Sequence, residues 1–470
     1  MINRGIFLDL AVDFHAHSIF AGGTQSLKFT PERIQPNKKK ALSHLMNITQ
    51  TMPLKGIDII GTGDCQFSFW NEILKKAMTE DQPGFFYLNE KDKTRFILQT
   101  ELIFTAPIGR RSKIVHIVFL FPDFSCVEGL NQFLKEWGVK YQKMARPFIK
   151  CGSIGDVATR IHAILDINPL VEAIPAHIMT PQGIFGSNVR VNHLADYFGS
   201  VTSRLQIFET GLSADPKFLG LIPELDDRVL ISSSDAHSGA LHRMGREYTV
   251  VSAVKKDYRH LIHSLREKNI IYTAEFPPEE GRFFLTGHRS GRKKPGLHGK
   301  DEWCCFSPQY TPQNDICPIC NKTLTVGVYQ RCIEISKVQG EERDLARVIP
   351  TQKFIRMVPL VEIIAHVLGV KTKTAKSIID VYHKIVDYIG PERNLWTLPA
   401  DEVRGLLKNI ENQISSSLLN AILEVKRGNF TFVPYGFDGV YGTLQIGNKG
   451  NYNKVNIIRA TKLKRSQLFR

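Results

Sequence analysis

The sequence predicts an α/β fold with a largely parallel sheet, followed by a small zinc-binding domain and a helical C-terminal domain. Three observations carry this expectation. Short apolar runs alternate with longer amphipathic segments through roughly the first 275 residues, the rhythm of strand and helix units. Residues able to bind metal gather at the C-terminal ends of several runs, where α/β barrels and open sheets place their sites. At "PPEEGRFFLTGHRSGRKKPGLHGK" the density of Gly, Pro and basic residues becomes too high for a packed element, which marks a boundary. The expected divisions are residues 1–280 for the α/β domain, 281–335 for a zinc-binding domain with a basic linker, 336–445 for a helical DNA-binding domain and 446–470 for a basic tail.

In order, the candidate strands are "LAVDFHAH", "GIDIIGTGD", "RFILQTELIFT", "KIVHIVFLFP", "VEAIPAHI", "SRLQIFETG", "DRVLISSSDAH" and "EYTVVSAV". Helical stretches such as "PERIQPNKKKALSHLMNI" and "IGDVATRIHAILD" fall between several of them. A strand has period two, so Asp13, His15 and His17 project to one face while Val12, Phe14 and Ala16 project to the other. Later strand ends add Asp64 in "GTGDC", Glu101 in "QTELIF", His116 in "KIVHIVF", His177 in "IPAHIM", and Asp235 with His237 in "SSSDAHS". Imidazoles and carboxylates in this mixture are ligands of Zn, Mn, Fe or Co, and a bridging carboxylate lets two or three ions sit close together. Clustered metals favour phosphoester hydrolysis, because they supply hydroxide near neutral pH and clamp the attacking and leaving oxygens. Asp13 is expected to orient a ligating histidine. Glu209 in "IFETG" is expected as a further ligand or as an acceptor to such a histidine. Arg246 and Glu247 follow the D-x-H motif, as a phosphate contact or a structural ion pair.

In "WCCFSPQYTPQNDICPICNKTLTVGV" the C-x2-C pair Cys317 and Cys320, with Pro318 and Asn321 shaping the turn, predicts half of a structural zinc site. The other half comes from Cys304 or Cys305 plus a fourth ligand, with His298 the nearest candidate and the unused cysteine the alternative. Closed tetrahedral coordination implies folding energy rather than catalysis. "VPLVEIIAHVLGV", "TAKSIIDVYHKIVDYIG" and "SSSLLNAILEVKRG" then carry apolar residues at helical spacing. At "LGVKTKT", Gly369 stops one helix and Thr372 or Thr374 caps the next, either as a basic hairpin for a phosphate or as an ordinary helix pair.

With 470 residues and 43% hydrophobic content the chain can bury cores without disulfides. Of the eight cysteines, four are scattered and four packed together. That distribution suits a metal cluster in a reducing compartment, and the expected location is cytoplasmic. The longest apolar runs are too short to span a bilayer, so no membrane partner is expected. A formal charge of +15 points to a polyanion such as nucleic acid. The acid-free runs from Arg282 to Lys300 and from Lys454 to Arg470 strengthen that reading.

The order H-x-H, Asp, Glu, His, His, D-x-H resembles the PHP (polymerase and histidinol phosphatase) superfamily of distorted barrels, whose members hold up to three metals. Two departures stand out. Cys65 follows Asp64 where T-D-H is usual, so one metal position takes a thiolate or lacks a ligand. The extra His or Asp after H-x-H is missing from "SIFAGGTQS", which leaves a third site incomplete. Together with the zinc knuckle, the helical region, "YGFDGVYG", "HIMTPQGIFGS", "GLSADPKF", "SSSDAHSGALHRMGREY" and "ICPICNKTLTVGV", these motifs make nearly the whole chain resemble the endonuclease Q family of DNA-repair enzymes.

The resemblance implies a distorted (β/α)7 PHP-type barrel. It also implies metal-dependent hydrolysis of the phosphodiester 5′ to deaminated bases (uracil, hypoxanthine, xanthine) or abasic sites, leaving 3′-hydroxyl and 5′-phosphate ends. Asp235, His237 and Glu101 would be catalytic, on two or three divalent ions (Zn, Mn or Mg), with one structural Zn in the cysteine-rich domain. A base under inspection leaves the stack, and an N–H donor that meets the deaminated carbonyl rejects the amine. The loop after His177, with Gly183, Gly186, Ser187 and Asn188, is the candidate reader, and Phe185 the candidate stacking ring. "KRSQLFR" at the end resembles a sliding-clamp peptide without its usual spacing and second aromatic, a weaker partner expectation. Two alternatives stay open: a PHP-type phosphatase for a small phosphate ester, and a non-catalytic zinc-containing nucleic-acid-binding protein.

Overall fold

The computed structural model describes residues 7–22, 34–140, 145–291 and 298–460. The "KRSQLFR" peptide and the linker residues Arg292, Lys293 and Lys294 lie outside the described residues. Seven strands form a ring: β1 (Leu8–Asp13), β2 (Ile59–Gly61), β3 (Arg95–Ile108), β4 (Arg111–Phe121), β5 (Glu172–Pro175), β6 (Ile207–Glu209) and β7 (Val229–Ile231). β1, β2 and β3 pair in parallel, β4 pairs antiparallel with both β3 and β5, and β6 pairs in parallel with β7. The ring closes at its C-terminal mouth, where Ile178 N donates to Glu209 O at 3.2 Å and His17 N to Ala236 O at 2.9 Å.

The expectation of an α/β barrel holds, with one inversion. Only Gly109 and Arg110 separate β3 from β4, and a link that short joins antiparallel neighbours. Every ring strand sends at least one apolar side chain into a shared cluster, among them Val12, Ile59, Ile97, Val118, Ile174, Ile207 and Val229. That cluster fixes the strands above it, which is what a site assembled from side chains on or just after five different ring strands requires.

Outside the ring, strand Tyr248–Ala253 pairs antiparallel with β1 and with strand Ile270–Glu275. The register Tyr248↔Ala274 sets Glu247 opposite Glu275, both fully buried. Burial pushes both carboxyls up, with Glu275 reinforcing the effect on Glu247, and Glu275 reaches about 8. Glu275 therefore keeps its proton in the folded state between its ordinary 4.5 and about 8, while the unfolded chain has released it. Stability is expected to fall as pH rises through that window, and Glu275→Gln to flatten the fall. Urea titrations between the two pH limits check this, and an unchanged slope in the variant would count against it.

The cysteine-rich region forms a three-stranded antiparallel sheet from Thr286–His288, Trp303–Phe306 and Asn456–Arg459. Residues expected in a free basic tail thus supply its third strand. Strand Phe354–Arg356, expected within the helical domain, instead extends the barrel sheet beside Ile270–Glu275. The helices Leu360–Leu368, Lys376–Ile389, Ala400–Lys408 and Ser416–Lys426 pack around Ile364, Ile378, Tyr382, Leu407 and Ile422. Gly369, at φ 64°, ends the first of these as expected, but the next is preceded by Ala375 with no side-chain cap, so neither threonine serves. Among the described residues no helix is long and apolar enough to cross a membrane.

Candidate metal centre and its pocket

Three groups of side chains meet at the barrel mouth, each with ligand atoms within 4.8 Å of one another: His15, His17 and Glu101; His17, Asp235 and His237; Glu101, His116 and His177. They share His17 and Glu101, so the three positions are contiguous. Oε1 of Glu101 lies 2.6 Å from His116 Nδ1, 3.3 Å from His177 Nε2 and 3.7 Å from His15 Nε2. Its Oε2 lies 2.7 Å from Arg146 and 3.6 Å from His17 Nε2. Oδ1 of Asp235 faces His17 Nε2 at 3.1 Å and His15 Nε2 at 3.6 Å.

The donor set fits divalent ions. Nε2 of His15 and of His17 point at each other across 3.2 Å, while the buried Oδ1 of Asp235 has no hydrogen-bond partner among the described residues. Burial opposes charge on Glu101 and Asp235. The His116 imidazole and the Arg146 guanidinium beside it nevertheless hold Glu101 well below the ordinary range, and the surrounding imidazoles, His237 first, do the same for Asp235. Against burial, Glu209 and then Asp235 lift His15 to about 10. The cage therefore has a strong preference for positive charge.

Backbone strain marks the same residues. Asp64, His177 and Asp235 sit at φ 45°, 30° and 46°, a region that costs a non-glycine residue about 1–3 kcal/mol and that clusters at functional sites. Gly63, at φ 64°, is needed where its loop passes H-x-H, since a Cβ there would lie 2.6 Å from Ser18 N. At φ 69°, Gly211 similarly lies where a Cβ would come within 2.5 Å of the His177 Cβ.

Asp64 stands outside the three groups. Its Oδ2 accepts from Ser18 N at 2.9 Å and Ser18 Oγ at 2.7 Å, and its Oδ1 faces Nδ1 of His17 at 3.7 Å, behind the ring. Cys65 is fully buried in the apolar core and takes no part in the three groups, and burial and then Asp64 push its thiol well up. Glu209 stands outside the three groups as an acceptor: its carboxylate takes His15 Nδ1 at 2.9 Å and the His177 amide at 2.8 Å. Asp13 accepts from Ser234 N at 3.0 Å, tying the start of the H-x-H segment to that of D-x-H. Arg146 was not foreseen, for nothing in "MARPFIK" marks it.

Carboxylates that orient a metal-bound histidine typically contribute 10–100-fold to affinity or activity. Asp64→Asn is therefore expected to reduce metal-dependent turnover by about 10–100-fold, a smaller loss than removal of a ligand. Metal titration of the variant checks the assignment, and a complete loss of one ion would reassign Asp64 to the ligands.

A cavity of about 510 Å³ opens over His177, Asp235 and His237. Thr180, Gln182, Asn188, Arg243, Arg246, Arg282 and Tyr441 contribute to its lining. The Arg282 guanidinium lies 5.2 Å from the Phe283 ring and 5.6 Å from the Tyr441 ring. Main-chain bonds from Gly439 N to Arg282 O and from Gly442 N to Glu280 O, each 2.8 Å, tie the "YGFDGVYG" turn to this wall. Arg246 Nε donates to Ser234 O at 3.0 Å, while Glu247 turns away toward Glu275, so the two form no ion pair.

The loop after His177 is corrected in part. Asn188 reaches the cavity, but Phe185 is fully buried in the main core and offers no stacking face. Gly183 and Gly186 serve the loop itself: a Cβ at Gly186 would lie 1.9 Å from Thr180 O, and one at Gly183 2.4 Å from His177 O. Ser187 is half-buried and not part of the cavity lining.

In the cysteine-rich region His288, His298, Cys317 and Cys320 bring ligand atoms within 4.8 Å of one another. Hydrogen bonding with Cys304 and His288, against burial, holds the Cys317 thiol far below its usual value. Cys304 Sγ lies beside this group, 3.6 Å from Cys317 Sγ. Cys305 does not belong to it. Adjacent residues of a strand face opposite ways, and Cys305 points into the main core instead. His288, missed in the sequence, takes a place there, with Nδ1 3.4 Å from Cys320 Sγ and Nε2 2.8 Å from Thr323 O.

Fold and site together define a seven-stranded α/β barrel with contiguous metal-ligand groups at its mouth, extended by cysteine-rich and helical regions. Two solved structures share this architecture along nearly the whole chain. The lesion-specific endonuclease PfuEndoQ of Pyrococcus furiosus is 24% identical with a TM-score of 0.70, over 93% of this chain and 96% of that one. An endonuclease Q bound to a 27-mer duplex with an abasic lesion at its active site is 23% identical with a TM-score of 0.71, over 96% and 99%. The chain has the endonuclease Q fold. No protein-family model matches it. Among curated proteins, an uncharacterized protein of Methanocaldococcus jannaschii is 26% identical over 37% of this chain, and uncharacterized YqxK of Bacillus subtilis 28% over 40%. This chain spans 21% and 43% of those proteins' own lengths.

Proposed function

We propose that this protein is a metal-dependent DNA-repair endonuclease that hydrolyses the phosphodiester 5′ to deaminated bases or abasic sites, leaving 3′-hydroxyl and 5′-phosphate ends. The observation that carries the reading is the set of three ligand groups, sharing His17 and Glu101, on the floor of an arginine-rimmed cavity. His15, His17, Glu101, His116, His177, Asp235 and His237 would hold two or three Zn, Mn or Mg ions. Such ions, when bound, activate water and neutralise charge on a phosphate.

The remaining work falls to the chain. Glu209 holds His15 with Nε2 directed inward, and the Asp64 carboxylate faces His17 from behind. Arg243, Arg246 and Arg282 supply fixed positive charge for the backbone of the strand being cut. Tyr441, held against Arg282, offers an exposed face to an extruded nucleoside. The side-chain amides of Gln182 and Asn188 provide N–H donors for the carbonyl that deamination creates. A structural zinc in the cysteine-rich region and a cytoplasmic place of work belong to the same reading.

Asp235→Ala is expected to lower incision by about 10³-fold or more, since it removes ligand charge worth several kcal/mol in the transition state. Affinity for the duplex, carried by the arginines, should persist. Labelled duplexes with uracil, hypoxanthine, an abasic site or no damage, incubated with Mg²⁺, Mn²⁺, Zn²⁺ or chelator, test the reading. Absence of a metal-dependent nick in every damaged duplex would sink it.

A further inference from the structure

Arg331 of the cysteine-rich region grips the loop that follows His177. It lies on helix Val328–Val338 and is 2% exposed. Its Nε donates to Phe185 O at 3.1 Å, and its second terminal nitrogen to Val191 O and Asn192 Oδ1, each at 2.7 Å. From the barrel side Lys113, 1% exposed, donates Nζ to Gly186 O at 3.2 Å. Two consecutive carbonyls are thus held by cations from two different parts of the protein. The other terminal nitrogen of Arg331 pairs with Glu334 Oε2 at 3.3 Å, whereas Lys113 is held on a neutral acceptor, a costly arrangement for a buried cation, and burial, aided by Arg331, pulls its ammonium down to about 7.

The gripped segment and the cavity wall are one compact unit. Gly186 packs so closely on Thr180 that no Cβ fits between them, and His116 N donates to Gln182 O at 3.2 Å. A shift at Phe185 and Gly186 would therefore move Thr180, Gln182 and Asn188, which line the cavity over His177, Asp235 and His237. We infer that Arg331 is a positioning residue through which the cysteine-rich region sets the base-reading edge of the pocket, leaving the incision chemistry to the barrel. The inference rests on the nuclease reading above.

The test compares single-turnover incision of duplexes containing uracil or an abasic site by the metal-loaded full chain. Arg331→Lys keeps the charge but loses the planar fork. Because misplacement by about 1 Å can cost up to about 10²-fold, incision at uracil is expected to fall about tenfold or more. Incision at the abasic site, which presents no base edge, should stay within about threefold and shows in the same protein that fold and metals are intact. Lys113→Met, which releases the loop from the barrel side, should produce the same split and decides the matter if Arg331→Lys does not fold. Parallel losses on both duplexes, or none on either, overturn the inference. Wild-type protein that cuts neither duplex overturns the nuclease reading instead.

Discussion

Glu101→Gln is expected to lower incision by about 10³-fold or more and to deplete the protein of metal, while duplex binding persists. Glu101 takes part in two of the three ligand groups, and its two oxygens face different histidines. Glutamine keeps the shape but removes the charge and turns one acceptor into an N–H₂ donor aimed at an imidazole or at Arg146. Each of these changes works against a bound cation. Metal analysis and single-turnover incision of the same preparation check the result. Turnover within about threefold of wild type would show that Glu101 is not the shared ligand.

Cys317→Ser carries the second large effect. Cys317 belongs to the group formed with Cys320, His288 and His298, and hydrogen bonding with Cys304 and His288 lowers its thiol pKa against burial. Structural zinc in zinc-finger peptides contributes apparent free energies of about 10–16 kcal/mol at neutral pH. A small sheet held by strands Thr286–His288, Trp303–Phe306 and Asn456–Arg459 has little apolar core of its own around the ligands: Cys304, Phe306, Cys317 and Leu324. The variant is expected to lose one zinc per chain and to become sensitive to protease across residues 298–327, while the barrel resists. Retention of that zinc with unchanged proteolysis would contradict the assignment.

The candidate metal constellation was legible because residue type and chain order suffice to find it: His15, His17, His177, Asp235 and His237 follow strand ends, while Glu101 and His116 lie within the two long strands β3 and β4. What the strand pattern could not convey was depth. Asp64 and Glu209 both end strands, yet both lie behind histidines rather than among the ligands. Arg146 comes from a segment with no periodic signal and meets Glu101 only in three dimensions. Two features had a signal in the sequence itself. Cys304 and Cys305 are adjacent on a strand, so period two already ruled out a shared site, and the two-residue link at Gly109 and Arg110 already required β4 to run antiparallel.

His288 and Tyr441 were hidden by distance along the chain. His288 gains its metal-ligand neighbours through the pairing of Thr286–His288 with Trp303–Phe306. Tyr441 reaches the pocket only because the "YGFDGVYG" turn folds back onto residues 280–282. Phe185 misled for the opposite reason: an aromatic residue in a glycine-containing loop near the site suggested stacking, but its burial makes it part of the core.

The most direct test of the account is a single-turnover reaction of the metal-loaded chain on a labelled duplex with one uracil, with the product ends mapped by ligation. The expected result is a single chelator-sensitive nick 5′ to the uracil that a ligase reseals, as a 3′-hydroxyl beside a 5′-phosphate requires. An uncut duplex with every divalent metal, together with rapid hydrolysis of a small phosphate ester, would contradict it.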